Sequence, residues 1–238
     1  MGLKEIVEES WAVYKRNWTS FIASQLLILL FVSVVLLLFF FLPISFTFIP
    51  SFTIFSFFSI SPIHLAFLFV IGFLLLLAIG MFVIGTYYMG KLALRRRISL
   101  KVFFEGVKKY FFRYLVANAI VGLILVSGII IVVASIFLNI ALFFVLLVVY
   151  TLLTILFVFV PILIVFDYSP LESIKLSVRL CRKNYLRVWS LALFFILISV
   201  VISLMPYVGS LINFLMINPL MVISYIILYK NLRRSVKR

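Results

Sequence analysis

Charged residues divide this sequence into long apolar stretches. Residues 17–90, 114–166 and 188–229 contain no Lys, Arg, Asp or Glu. A membrane-spanning helix needs about 20 predominantly apolar residues, so each stretch is long enough for two crossings and a turn. The pattern therefore predicts an all-α polytopic integral membrane protein with six transmembrane helices, at residues 18–42, 65–90, 114–137, 140–166, 187–205 and 210–229.

The basic residues lie on one side of these six spans. Every Lys and Arg falls in the N-terminal segment, in residues 91–113, in residues 175–187 or in the C-terminal tail. The alternate connections contain none. Because positively charged loops stay in the cytoplasm, we expect a multi-pass protein of the cytoplasmic (plasma) membrane with both termini cytoplasmic.

Three amphipathic segments repeat along the chain, opening at Leu3, Leu100 and Leu171. In the third, apolar residues recur at helical spacing, which places them on one face of a helix. These positions are Leu171, Ile174, Val178, Cys181 and Tyr185. We expect Ser169 to form a capping box with Glu172, and Ser99 to cap the second helix. The chain is predicted to be a single membrane domain, residues 1–238, of three units (approximately 1–97, 98–168 and 169–238). Each unit combines an interfacial amphipathic helix with a transmembrane hairpin.

The connection at residues 43–64 is uncharged and rich in Phe, Ser and Thr. Such an apolar loop is not expected to stand free in water. The sequence leaves open whether it re-enters the membrane, lies on the outer surface or forms a lid.

Composition agrees with the membrane assignment. Hydrophobic residues make up 67% of the chain and charged residues 11%, whereas about a quarter of residues are charged in soluble domains. A net charge of +15 would favour a nucleic-acid partner in a soluble protein. Here basic loops beside the spans account for it, so we expect no nucleic-acid partner.

The basic clusters are candidate binding sites for anionic lipid headgroups or for a partner protein. Basic residues beside a span attract anionic lipid, each contributing about 1 kcal/mol near the surface. The candidate residues are Arg95, Arg96, Arg97, Lys108, Lys109, Arg113, Arg179, Arg182, Lys183 and Arg187. A homo-oligomer is a further possible partner arrangement, and membrane lipids are the expected ligands.

Residues suited to catalysis are sparse, so we expect a non-enzymatic protein without a cofactor or a metal. The single histidine, His64, has no nearby carboxylate or cysteine in the sequence, and Cys181 is the only cysteine. Neither a phosphate-binding glycine-rich loop nor a zinc-binding H-E-x-x-H motif is present.

Uncharged polar residues inside the spans give a second function class. Gln25, Asn118, Asn213 and Asn218 form a possible intramembrane polar site. Amides within spans commonly bond to neighbouring helices, but they also line transport paths. Pro219, directly after Asn218, frees a backbone carbonyl in mid-span. The alternative to a lipid-binding or interaction protein is therefore a transporter or channel for a small or lipidic molecule.

One part of the chain resembles a known group of families. The residues that carry the resemblance are Pro161, Asp167, Pro170-Leu171-Glu172-Ser173-Ile174, Ser177, Arg182-Lys183-Asn184-Tyr185 and, in the last span, Pro219 with Leu228-Tyr229 and Leu232-Arg233. They resemble uncharacterised prokaryotic membrane-domain families related to the membrane domain of glycerophosphoryl diester phosphodiesterases. The resemblance implies a multi-span helical protein of unassigned role. The catalytic domain of those phosphodiesterases has no counterpart here, so neither its activity nor its metal is expected.

Overall fold

The computed structural model describes the backbone of residues 2–47, 62–206 and 208–236, and the side chains of residues 2–37, 70–206 and 208–233. Every regular element in these parts of the chain is helical, which confirms the predicted class. The helices are α1 (Leu3–Thr47), α2 (Pro62–Ala93), α3 (Leu100–Ala134), α4 (Ile140–Thr154), α5 (Val160–Val165), α6 (Pro170–Lys183), α7 (Tyr185–Ser203), α8 (Val208–Ile212) and α9 (Asn218–Val236). The sequence leaves open the arrangement of the 43–64 connection. Most of this connection, residues 48–61, lies outside the described residues.

Within the described residues, six segments are long and apolar enough to cross a membrane, in agreement with the predicted number and order. They are Leu3–Leu37, Val70–Ala93, Leu100–Phe137, Ile140–Val165, Tyr185–Ser203 and Val208–Arg233. The last span is the most buried of the six, and α4 lies at the periphery with no buried residue.

The amphipathic segments take two forms. The first two continue without interruption into the following spans, as the N-terminal parts of α1 and α3. Only the third is a separate helix: α6 ends at Lys183, and α7 begins at Tyr185 after a non-helical Asn184. The sequence predicts separate interfacial helices at the first two positions. The structure instead has continuous helices there.

The fourth predicted span, residues 140–166, is broken rather than continuous. The chain leaves α4, makes a 3-10 turn at Ile155–Phe157 and resumes as the short helix α5. Pro161 lies in the first turn of α5. Because proline has no N–H and its ring clashes with the preceding turn, it cannot continue an α-helix from α4. The break places irregular backbone inside a span.

A similar irregularity precedes Pro219. Residues Asn213–Ile217 form a π-helical turn between α8 and α9. Pro219 offers no N–H to the carbonyl of Leu215, four residues earlier, and this carbonyl accepts a hydrogen bond from the Tyr14 hydroxyl at 3.1 Å. The predicted discontinuity is therefore real, and α1 satisfies the carbonyl that it frees.

Two glycines bring α2 close to its neighbours. A Cβ atom at Gly106 of α3 would lie 2.5 Å from the Cβ atom of Tyr88, and one at Gly90 would lie 2.7 Å from Ile226 of α9. Small residues allow such close approach between membrane helices, where van der Waals packing drives association. The α2 helix is thus packed tightly between α3 and α9.

Candidate functional site

Hydrogen bonds gather the charged segments at one end of the helix bundle. The Asn17 side chain accepts a bond from the Ile98 N–H at 2.9 Å, and the Ser20 hydroxyl donates to the Ile98 carbonyl at 2.7 Å. Arg16 donates to the last carbonyl of α2. These bonds hold the loop of residues 94–99 against α1. We call this end of the bundle, with the start of α1, the 94–99 loop, α6 and the end of α9, the charged end.

Asp167 connects α2 and α3 to the segment between α5 and α6. Its φ of 70° lies in the left-handed region, which Asp tolerates better than most residues. The carboxylate accepts a bond from the Tyr110 hydroxyl at 2.9 Å, and Lys109 Nζ and Lys91 Nζ lie 3.3 and 3.8 Å away. Partial burial raises the pKa of Asp167, but the Tyr110 bond and the two lysine charges outweigh it and lower the pKa overall. The carboxylate is therefore ionised at neutral pH.

The start of α6 has the cap that the sequence predicts. The Ser169 side chain accepts a bond from the Glu172 N–H, and Glu172 accepts bonds from both the N–H and the hydroxyl of Ser169. The bonds from Ser169 lower the pKa of the Glu172 carboxyl. Ser99 differs from the prediction: it occupies the N-cap position of α3 but makes no side-chain capping bond.

One face of α6 satisfies the broken backbone of the fourth span. The Ser177 hydroxyl donates to the Leu156 carbonyl at 2.7 Å and accepts from the Phe159 N–H at 3.2 Å. One turn further along, the Cys181 thiol donates to the Ile155 carbonyl at 3.3 Å. Burial raises the pKa of this thiol to about 12, so it acts as a neutral donor.

A further turn along, the Tyr185 hydroxyl donates to the Leu152 carbonyl at 3.2 Å. Unpaired backbone groups are expensive in hydrocarbon. Ser177 and Cys181 on α6, with Tyr185 at the start of α7, therefore allow the span to be broken.

The sequence places the apolar residues of α6 on one face, and only part of that face is buried in the structure. Leu171 is 59% exposed, and Ile174 and Val178 are only half-buried. The small residues Ser173 and Ser177 are instead fully buried, together with Cys181. Short side chains at Ser177 and Cys181 let α6 approach the broken span closely enough to hydrogen-bond to it. Of the larger apolar residues, Leu180 is also buried, whereas Leu171 remains exposed.

All ten predicted basic residues are exposed at the charged end. Lys109 pairs with Asp167. The other nine form no ion pair with any residue of the described chain. The ten are Arg95, Arg96, Arg97, Lys108, Lys109, Arg113, Arg179, Arg182, Lys183 and Arg187. The charge of the nine unpaired residues is thus available to an external anion.

Two surface grooves meet at Arg182. The first, the basic groove, has a volume of about 570 Å³ and is lined by Arg182 with Ile174, Lys175, Val178, Arg179 and Lys183. The second, the α4 groove, has a volume of about 350 Å³. It is lined by Arg182 and Tyr185 together with Val149, Leu152, Leu153 and Leu156. A guanidinium therefore lies at the boundary between a positively charged groove and an aliphatic one.

The four amides predicted within the spans are not all brought together. Gln25 is fully buried, and neither its oxygen nor its nitrogen has a hydrogen-bond partner among the described residues. Asn213 donates to the Ser199 carbonyl at 3.0 Å and to the Ser203 hydroxyl at 2.8 Å. This is the helix–helix bonding expected for most amides in spans.

Asn118 and Asn218 share a cavity of about 350 Å³, which we call the polar cavity. It lies beside the break in the fourth span and is walled by α2, α3, α5 and α9. Its lining residues are Phe82, Val83, Thr86, Tyr87, Tyr114, Asn118, Val121, Phe157, Val158, Val160, Pro161, Asn218, Met221 and Val222. Neither Gln25 nor Asn213 is among them, so the structure brings together only two of the four predicted amides, Asn118 and Asn218.

The sequence interpretation missed several of these residues. Lys91 and Asp167 are 76 positions apart and were not recognised as a pair, although an isolated acid beside a span end is a usable signal. Thr86 and Tyr114 were overlooked because both lie within strongly apolar runs. Among the described residues, no group of three or more His, Cys, Asp or Glu side chains is placed to hold a metal ion. Comparison of the chain with protein-family models, with curated proteins and with solved structures finds no match.

Proposed function

We propose that this chain is a non-catalytic protein of the cytoplasmic membrane whose basic face binds the headgroups of anionic phospholipids. In this proposal the charged end faces the cytoplasm and both termini lie there, as the positive-inside rule favours. The ten exposed bases at that end support it, as do the six helices long and apolar enough to span a membrane.

The observation that carries the proposal is the arrangement around Arg182. An anionic phospholipid joins its phosphate closely to its acyl chains, and Arg182 lines the α4 groove together with four aliphatic side chains. Since the guanidinium presents several N–H donors in one plane, it suits a phosphate oxygen pair. Lys175, Arg179 and Lys183 extend the positive charge along the adjoining basic groove.

The three-unit organisation and the relationship to the phosphodiesterase membrane domains are part of the same proposal. Each of the three amphipathic segments precedes a span and lies at the charged end, which supports a common origin. The first two have fused with their spans in α1 and α3, whereas α6 has remained separate.

Native mass spectrometry of the detergent-purified protein tests the proposal. Dioleoylphosphatidylglycerol should remain bound to the wild type more strongly than dioleoylphosphatidylcholine. At about 1 kcal/mol per charge, Arg182→Gln should weaken retention of the anionic lipid about fivefold. The triple change of Arg179, Arg182 and Lys183 to Gln should weaken it more than a hundredfold.

Lys101→Gln is the matched control, because Lys101 is an exposed base at the same end that lines neither groove. Equal retention by the triple variant and the control would refute the proposal. Co-purification of a second chain that shields Arg182, with no lipid bound, would favour a protein partner or a homo-oligomer instead.

The second candidate function is transport of a small or lipidic molecule. The polar cavity favours it, because broken helices and unpaired polar groups within spans are common at transporter binding sites. Reconstituted vesicles distinguish the two functions. A carrier moves its substrate between leaflets or compartments, whereas a lipid-binding protein without transport activity leaves the distribution of that substrate unchanged.

A further inference from the structure

We propose that the polar cavity binds the uncharged head of a membrane amphiphile, of the chemical class represented by diacylglycerol. Hydroxyl and ester groups would bond to the cavity wall while the acyl chains stay in the bilayer. The inference concerns binding alone, and neither the basic face nor transport is needed for it.

The first argument is that the cavity wall holds polar groups without partners. Thr86 is only 1% exposed, yet its hydroxyl has no hydrogen-bond partner among the described residues. The amides of Asn118 and Asn218 also form no side-chain hydrogen bond within the described chain. Leaving a buried hydroxyl unbonded costs about 1–3 kcal/mol, and a ligand with both donor and acceptor groups would remove that cost.

The second argument is the absence of charge on the wall. Its polar members are two amides, one threonine and two tyrosines, and none of the lining residues is Lys, Arg, Asp or Glu. An anionic phosphate would lose its hydration there without gaining a cation. An uncharged hydroxyl or ester loses far less, so the wall selects a neutral head.

The third argument is depth and access. At 1.5 Å per residue, Thr86 and Asn118 lie about 8 Å along their helices from Lys91 and Arg113 at the charged end. Asn218 lies about 18 Å from Lys230. The cavity therefore extends from about 8 Å to about 18 Å below the charged end, which reaches the middle of a hydrocarbon core about 30 Å thick.

Asn118 lies on the exposed surface of α3, two residues from Val116, which is 51% exposed. A polar amide on this apolar surface, lining the cavity, marks an opening toward the lipid. An amphiphile can thus enter from the side without passing through water.

The experiment is photolabelling of the detergent-purified protein with a diacylglycerol that carries a diazirine in one acyl chain. Labelled peptides are then identified by mass spectrometry. We expect labels on the segments of α3 and α9 that line the cavity, and competition by unlabelled dioleoylglycerol. Phosphatidic acid with the same photoreactive chain keeps the tails and adds a charged head, so it should not label these segments.

Isosteric variants then remove single polar groups. Thr86→Val and Asn118→Leu should each lower labelling about two- to tenfold, the equivalent of one neutral hydrogen bond. Thr86→Val should leave thermal stability at or above that of the wild type, because it removes an unbonded hydroxyl. Thr151→Val is the control, since Thr151 bonds to the Leu147 carbonyl at 2.9 Å and lies outside the cavity.

Val83→Phe narrows the cavity and keeps every polar group, so it should also lower labelling. Two results with the wild type would overturn the inference. One is labelling by the diacylglycerol probe that unlabelled dioleoylglycerol does not reduce. The other is labelling of the cavity segments by phosphatidic acid to the same extent as by diacylglycerol. Unchanged labelling in both Thr86→Val and Asn118→Leu would overturn it as well. If the Arg182 variants lost anionic lipid but were still labelled by diacylglycerol, the polar cavity and the basic face would be two independent sites.

Discussion

The contact between Gly106 and Tyr88 gives the sharpest test of how α2 and α3 pack. In Gly106→Ala the new Cβ would lie 2.5 Å from the Tyr88 Cβ and 2.7 and 2.8 Å from two of its ring atoms. Carbon atoms in contact normally lie about 3.5–4.0 Å apart. The helices must therefore separate by about 1 Å, because a Cβ cannot rotate away.

Gly122→Ala on the same helix is the matched control, since a Cβ there meets nothing within 4 Å. Both variants gain the same helix propensity from replacing glycine, so the difference between them isolates the cost of overpacking. Overpacking of a close-packed site costs about 1–3 kcal/mol. The unfolding equilibrium of Gly106→Ala should thus be shifted about 5- to 150-fold relative to Gly122→Ala.

The measurement is reversible unfolding in mixed micelles of mild detergent and SDS, followed by far-ultraviolet circular dichroism. Gly106→Ala should unfold at a lower SDS fraction than Gly122→Ala and the wild type. If the two variants agreed within about 0.5 kcal/mol, the close approach of α2 and α3 at this point would be refuted. A Gly122→Ala variant that was itself strongly destabilised would show instead that the outer surface of α3 is covered.

Two further predictions concern the charged end and the broken span. Because the pKa of Asp167 is lowered in the folded protein, its stabilising contribution is complete above the ordinary carboxylate pKa and is lost as the pH falls through the lowered value. The wild type and Asp167→Asn should differ in their free energy of unfolding by at most about 1 kcal/mol, because the carboxylate is half-exposed. This difference should become smaller below about pH 4. A difference that does not depend on pH would contradict this ion pair. Ser177→Ala removes the partner of one N–H and one carbonyl in the break, and should cost about 1–3 kcal/mol in the same SDS assay. Ser190→Ala, at an exposed serine bonded to its own helix, should change stability by less than about 0.5 kcal/mol, and equal effects of the two changes would contradict the bridging role of Ser177.

Local sequence signals were sufficient for the number of spans and for one helix cap. The charge-free stretches predict six helices because charged side chains are costly in hydrocarbon, and no tertiary knowledge is needed. The capping box at Ser169 depends on a residue three positions away, so it could also be predicted. Ser99 shows the limit of such signals, because its position was correct and its bond was absent.

The candidate sites depend on contacts that the sequence does not encode locally. Periodicity identifies the buried face of a helix in water, but α2 and α4 are apolar all round. The hydrophobic pattern therefore could not predict that Thr86 lies on the side of α2 that lines the cavity with Asn118 and Asn218. The same holds for α6: helical periodicity identifies its apolar face, but it gives no sign that Ser177 lies inside, where it bonds to the break in the fourth span.

The broken fourth span has a consequence for how the chain is made. Residues 140–165 leave the ribosome before α6, so the carbonyls of Leu152 and Leu156 must wait for their partners, Tyr185 and Ser177 respectively. At 5–20 residues per second, the following 20 residues take about 1–4 s to synthesise. Because unpaired backbone groups are expensive in hydrocarbon, we expect these carbonyls to stay beside water or the insertion machinery during that interval.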